Sequence, residues 1–132
     1  GRGLLDMAVL NAIHAKMNKA MSAAGARVEA VFFCPHVPDD ACTCRKPAPG
    51  LYQQVAERYG VSLKGVPAAG DSVWDAQAAY AAGCTPHLLL TGNSEMCRNG
   101  PLPPDLPPGT CVHTDLQAFA DAILNEKTCC LA

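Results

Sequence analysis

No apolar run in the 132 residues approaches the roughly 20 that span a bilayer. No leader peptide is visible either: the apolar stretch at residues 4–10 is short and broken by Asp6. An excess of one charge is also missing. Twelve acidic and ten basic side chains leave a net −2, which offers no attractive field to a nucleic acid or an anionic membrane. Aromatic residues are scarce, at 5%, so a basic stripe interleaved with stacking rings is excluded too. The expectation is a soluble, cytoplasmic monomer with no nucleic-acid or membrane partner.

What is present is a chain of about one domain in length, 49% hydrophobic, able to bury a core. Eight cysteines are many for such a chain. A disulfide framework suits small secreted domains with poor cores, and this sequence shows neither a leader nor a poor core. Cys34, Cys42 and Cys44 crowd into one short segment with His36, a grouping that points to metal. Cys84, Cys97 and Cys111 are scattered and read as plain small residues. Cys129 and Cys130 at the tail have no functional reading.

Leu10, Ile13, Met17 and Met21 recur at helical spacing within residues 4–24, and Gly25 follows as a stop. Residues 28–34, rich in Val and Phe, read as a buried strand. Residues 35–49 are a proline-rich loop. Pro49 opens a helix with Leu51, Val55 and Tyr59 on one face and Gly60 at its end. Residues 66–69 read as a strand running into Gly70-Asp71, residues 73–82 as a helix closed by Gly83, and residues 87–90 as a strand. Residues 92–109, rich in proline, are expected to be a long surface loop. A strand at 111–113 follows, then a last helix with Thr114 and Gln117 as a candidate capping box. This alternation predicts an α/β fold, a Rossmann-like parallel sheet with flanking helices in one domain over residues 1–132. Ligands of such sheets sit at the carboxyl ends of the strands, where every motif below falls.

Three constellations carry chemistry. The first is Cys34-Pro35-His36 with Cys42-Thr43-Cys44. Four Cys and His ligands on a loop at residues 34–44 match a closed tetrahedral zinc site, structural rather than catalytic. Pro35, Pro38 and Pro47 stiffen the loop, and a metal would supply order that its few apolar residues do not. A metal-free loop or a Cys34–Cys42 disulfide is the plainer alternative. The second is Arg45-Lys46, a planar fork and a compact charge suited to phosphate oxygens, or else two solvated loop cations. The third is Gly70-Asp71-Ser72-Val73-Trp74-Asp75. Asp71 sits at a strand end and Asp75 one helical turn on, a carboxylate pair suited to Mg²⁺, unless Asp71 or Ser72 merely caps the helix.

Taken together, Phe-Cys-Pro-His, Cys-Thr-Cys-Arg-Lys-Pro-Ala-Pro-Gly and Gly-Asp-Ser-Val-Trp-Asp resemble the heptose bisphosphate phosphatase family of the haloacid dehalogenase superfamily, over residues 1–124. The resemblance implies that Cys34, His36, Cys42 and Cys44 bind structural Zn²⁺. It implies that Asp71 binds catalytic Mg²⁺ with Asp75 in support. Arg45 and Lys46 would bind substrate and stabilise the transferring phosphoryl group, and Ser72 would touch substrate or metal. The implied reaction is Mg²⁺-dependent removal of the 7-phosphate from a heptose 1,7-bisphosphate, a step in lipopolysaccharide precursor synthesis.

The sequence departs from the family in three ways. Many relatives have lysine where this chain has Ser72, and the zinc loop is shorter than in some members. None of Asp6, Asp39, Asp40, Asp71, Asp75, Asp105, Asp115 and Asp121 forms the Asp-x-Asp pair that supplies nucleophile and general acid/base in the family. The first strand, both catalytic aspartates and the second phosphate-binding motif are expected upstream, and the chain alone is expected to be inactive. Two other readings compete: a histidinol-phosphate phosphatase, some of which carry a similar zinc loop, and a zinc-stabilised binding module or fragment without chemistry.

Overall fold

The computed structural model describes residues 7–34, 42 and 46–125. The chain divides into two compact units, residues 1–42 and residues 43–132.

In the first unit, the expected helix runs as α1, Met7–Ala23. Gly25 at φ 77° turns the chain out of it, and the Ala26 amide donates back to Met21 O at 2.8 Å. Burial alternates along residues 28–34 as in an extended chain, yet no strand is formed there, contrary to expectation. A strand exists only through a ladder, and among the described residues this segment has no ladder partner. His14 of α1 and Phe33 bring their rings to 6.4 Å.

The second unit holds the sheet. Strands β1 (Pro67–Gly70), β2 (Thr85–Leu89) and β3 (Cys111–His113) lie in the order β1-β2-β3, and both pairings are parallel. Helices α2 (Gly50–Tyr59), α3 (Val73–Ala81) and α4 (Leu116–Leu124) complete the parallel α/β architecture expected from the alternation. β2 is the central strand and is buried from Pro86 to Leu89, as a strand covered on both faces must be. α3 turns Ala76, Ala78 and Ala79 inward, and side chains this small let the helix lie close on the sheet. Leu63, Ala79 and Cys84 form a core cluster, with Tyr52, Val55 and Ala56 of α2 packed against it. Leu88 is fully buried, so cutting it to alanine should cost about 2–5 kcal/mol. The inward residues of α2 include Tyr52 and Ala56, whereas Tyr59, read as part of that face, is exposed. Gly60 in the left-handed region (φ 62°) ends α2 as expected.

Three further expectations change. Residues 92–109 are not all irregular: Gly92–Arg98 forms a 3-10 helix, and its amino end is held by the site described below. The last helix is capped by Asp115, whose Oδ1 accepts from the Ala118 amide at 2.8 Å. Gln117 instead donates to Asp121 Oδ1 at 3.1 Å, so the Thr114–Gln117 box does not form. Cys111 is fully buried and disulfide-bonded, not the plain small residue its isolation suggested. Among the described residues, no helix is long and apolar enough to cross a membrane.

Candidate active site

β1 ends at Gly70, and the chain then passes directly into α3 through Asp71 and Ser72. The turn is held by a reciprocal cap. Ser72 Oγ accepts from the Asp75 amide at 3.2 Å, and Asp75 Oδ2 accepts from the Ser72 amide at 3.1 Å. Two amides that a helix start leaves without partners are thereby satisfied, a device whose loss costs about 1 kcal/mol. The Ser-x-x-Asp spacing was open to reading as a cap, but the sequence reading gave Asp75 only a place beside Asp71 at the metal and a supporting role.

The other oxygen of Asp75, Oδ1, accepts from Lys46 Nζ. Asp75 is mostly buried and Lys46 about half exposed, so screening keeps the pair to about 1 kcal/mol or less. Its value is positional: the segment carrying Lys46 is tied to the carboxyl end of β1. The Lys46–Pro47 peptide is cis. Gly70 makes room for this arrangement, since a Cβ there would lie 2.5 Å from Asp75 Cγ.

Asp71 is held from across the sheet by a segment that sequence reasoning passed over. Its Oδ2 accepts from the Asn93 amide at 3.0 Å, and its main-chain carbonyl accepts from Ser94 Oγ at 2.7 Å. Gly92, at φ 48°, lies where a Cβ would come within 2.2 Å of Asp71 Oδ2. Glycine shortly after the β2 strand was the available signal, because glycine marks close backbone approach. Tyr52 also belongs to this neighbourhood. Its phenol is pushed up to about 12, first by burial, then by the negative charges of Asp75 and Cys84.

Among the sequence-predicted residues, the structure brings together Asp71, Ser72, Asp75 and Lys46. Arg45 lies outside the described residues, as do His36 and Cys44 of the expected zinc set. The other two members, Cys34 and Cys42, place their sulfurs 3.5 Å apart, much too far for the roughly 2.05 Å of a disulfide between them. No group of three metal-ligating side chains occurs among the described residues.

One feature of the sheet was not anticipated at all. His87 Nδ1 and His113 Nε2 stand 2.9 Å apart with stacked rings, and the Phe119 ring meets both nearly edge-on. Both imidazoles are buried and titrate below their ordinary value, His87 through burial and then the neighbouring His113, His113 through burial.

A glycine-aspartate turn leaving a parallel strand, a second carboxylate one helical turn on and a lysine bound to it thus stand together at the carboxyl end of β1. Residues 43–117 match the HAD-hydrolase-like family model. The chain is 54% identical to D-glycero-beta-D-manno-heptose-1,7-bisphosphate 7-phosphatase of Bordetella bronchiseptica, over 95% of this chain and 68% of that protein. The Pseudomonas aeruginosa enzyme of the same name is 44% identical, over 93% of this chain and 67% of that one. The crystal structure of D,D-heptose 1,7-bisphosphate phosphatase from B. bronchiseptica, complexed with magnesium and phosphate, superposes with a TM-score of 0.84 at 53% identity, covering 95% of this chain and 68% of that one. The corresponding structure from Burkholderia thailandensis gives a TM-score of 0.68 at 42% identity, over 94% of this chain and 68% of that one. The chain belongs to the HAD-like hydrolases and, within them, to the heptose-1,7-bisphosphate 7-phosphatase family of phosphoric monoester hydrolases.

Proposed function

We propose that this chain carries metal-binding and phosphate-binding residues of a cytoplasmic Mg²⁺-dependent phosphatase that removes the 7-phosphate of D-glycero-D-manno-heptose 1,7-bisphosphate. The observation that carries the reading is the Asp71–Asp75–Lys46 constellation at the carboxyl end of β1. Asp71 suits a hard divalent cation. Its Oδ2 is fixed by a backbone amide, and its Oδ1 has no hydrogen bond among the described residues. When bound, Mg²⁺ supplies positive charge against the phosphate oxygens.

The chain's own residues do the rest. Lys46, steadied by Asp75 but half exposed, offers its ammonium protons to a phosphoryl oxygen, and its charge offsets the charge that builds in transfer. Arg45 adds a fork for the same oxygens. Ser72 uses an oxygen lone pair for the cap, which leaves its hydroxyl proton for a substrate oxygen. Asp75 positions Lys46 and the turn. A single domain over residues 1–132 would carry these groups. A structural zinc on Cys34, His36, Cys42 and Cys44 would stiffen the loop that leads to Arg45 and Lys46. The 3.5 Å between Cys34 and Cys42 supports this, since two thiolates on a tetrahedral zinc stand roughly 3.8 Å apart.

The nucleophilic Asp-x-Asp pair occurs nowhere in the 132 residues, so turnover by these residues alone is not expected. The test is a chimera in which this chain replaces the stretch of the Bordetella enzyme that it matches. We expect phosphate release from heptose 1,7-bisphosphate that needs Mg²⁺, is lost in Asp71→Asn and falls at least about tenfold in Lys46→Met. A folded chimera that prefers histidinol phosphate would overturn the substrate. One whose activity survives Asp71→Asn would overturn the site.

A further inference from the structure

We propose that Ser94 is a positioning residue for Asp71, and that the segment Gly92–Arg98 is a brace that aims this carboxylate at a divalent cation. The inference deepens the reading of Asp71 as a cation ligand and rests on it.

Two neighbouring residues of the segment grip Asp71 at two different atoms. The Asn93 amide takes Oδ2 at 3.0 Å, and the Ser94 hydroxyl takes the main-chain carbonyl at 2.7 Å. A single bond to the carboxylate would leave the backbone beneath it free to shift. A second bond to the carbonyl fixes the base from which the side chain projects. With Oδ2 occupied, Oδ1 is the oxygen left to face a cation. Ser94 is 3% exposed, although residues on either side of it lie at the surface. A hydroxyl buried in this way is unfavourable unless bonded, and its one acceptor here is Asp71. Gly92 permits the approach, as any side chain there would collide with Asp71 Oδ2.

The far end of the segment is fastened to the sheet. Arg98 donates through Nε to Leu90 O at 2.7 Å and through a terminal nitrogen to Thr114 O at 3.0 Å. These carbonyls lie just past the carboxyl ends of β2 and β3, and the Leu90 amide itself donates to His113 O at 2.9 Å. The guanidinium therefore bridges two strand ends while the amino end of the same short helix holds the third. Asp71, at the end of β1, is thereby referred to the positions of β2 and β3.

The experiment measures Mn²⁺ binding by the purified chain from loss of the free-ion electron paramagnetic resonance signal, Mn²⁺ serving as an oxygen-seeking stand-in for Mg²⁺. Melting in EDTA is followed in parallel. Wild type should bind saturably and Asp71→Asn should not. Ser94→Ala should bind roughly five- to tenfold more weakly, as expected for one lost hydrogen bond, and Ser94→Thr, which keeps the hydroxyl, within about twofold of wild type. Arg98→Met frees the far end without touching the buried hydroxyl, so it tests the brace should Ser94→Ala fail to fold; it should weaken binding by a similar factor. If Asp71→Asn abolishes binding while the folded Ser94→Ala and Arg98→Met variants bind as wild type, with only their melting temperatures lowered, the brace is overturned and the cation reading stands. If wild type does not bind, or Asp71→Asn binds equally well, the cation reading fails and the brace with it.

Discussion

Asp75 occupies the space that a side chain on Gly70 would need: a Cβ on Gly70 would lie 2.5 Å from the Cβ, Cγ and Oδ2 of Asp75. The packing of Gly70 against a mostly buried carboxylate leaves no slack, because Asp75 is bonded on one oxygen to Ser72 and on the other to Lys46. Gly70→Ala must expel Asp75 and break both contacts. The expected loss is about 2 kcal/mol or more, combining a cap with local strain. Urea unfolding measures it, and a midpoint unchanged from wild type would show that the turn gives way freely.

The buried histidine pair predicts an acid-sensitive fold. Both imidazoles titrate below 6.5 when folded and near 6.5 when unfolded. The unfolded chain therefore binds more protons in that range, and stability rises with pH. Stability should be complete above about pH 7.5 and should fall as pH drops through 6.5. Urea midpoints at pH 7.5 and 6.0 test the sign. A flatter profile is expected for His113→Gln, and greater stability at pH 6.0 would contradict the burial of the pair.

How much of this was readable in advance depends on the range of each interaction. Gly60 and Gly83 marked helix ends because a left-handed glycine acts locally. The parallel sheet was legible from the alternation of helices and strands. The Ser72–Asp75 cap was legible in spacing, whereas the contact of Asp75 with Lys46 joins residues far apart in sequence and was not. The Asp115 cap was missed by one residue, since Thr114 and Asp115 are both capping residues and backbone conformation decides between them. The His87–His113 contact and the grip of Ser94 on Asp71 depend on which strand lies beside which. His87 pairs with Cys111 and Leu89 with His113, a register that no local pattern encodes. The strand read at residues 28–34 failed for the converse reason: composition can favour an extended chain but cannot supply its ladder partner.

Tyr52 offers a spectroscopic prediction. The chain has three tyrosines, and Tyr59 and Tyr80 are exposed. Ultraviolet titration near 295 nm should resolve one phenol ionising at about 12. Because the folded state holds that proton more tightly than the unfolded state, the associated stability is present below pH 10 and is lost as pH rises through 12. Asp75→Asn should lower the late step, since it removes one of the charges opposing ionisation. Three coincident titrations would contradict the burial of Tyr52.

Zinc content tests the loop at residues 34–44. Elemental mass spectrometry of chain purified without chelator should find about one zinc per chain. The Cys42→Ser, Cys44→Ser double variant should lose it. A metal-free wild-type chain would remove the zinc proposal without touching the Asp71 site.

The bridge that Arg98 makes between the ends of β2 and β3 also bears on how this protein can vary. Downstream, the Thr110 hydroxyl closes a turn onto Pro107 O at 2.7 Å, and Gln77 donates to Asp105 O at 3.2 Å. The proline-rich stretch between Arg98 and Asp105 is thus pinned at its two ends, and between them only Leu102 and Pro103 are part-buried. Lengthening a loop costs only about 0.6 kcal/mol per doubling when its anchors hold. Residues 100–104 are accordingly where a reporter peptide or an epitope could be inserted, or where related sequences could diverge in length, while the carboxyl ends of the strands stay in register.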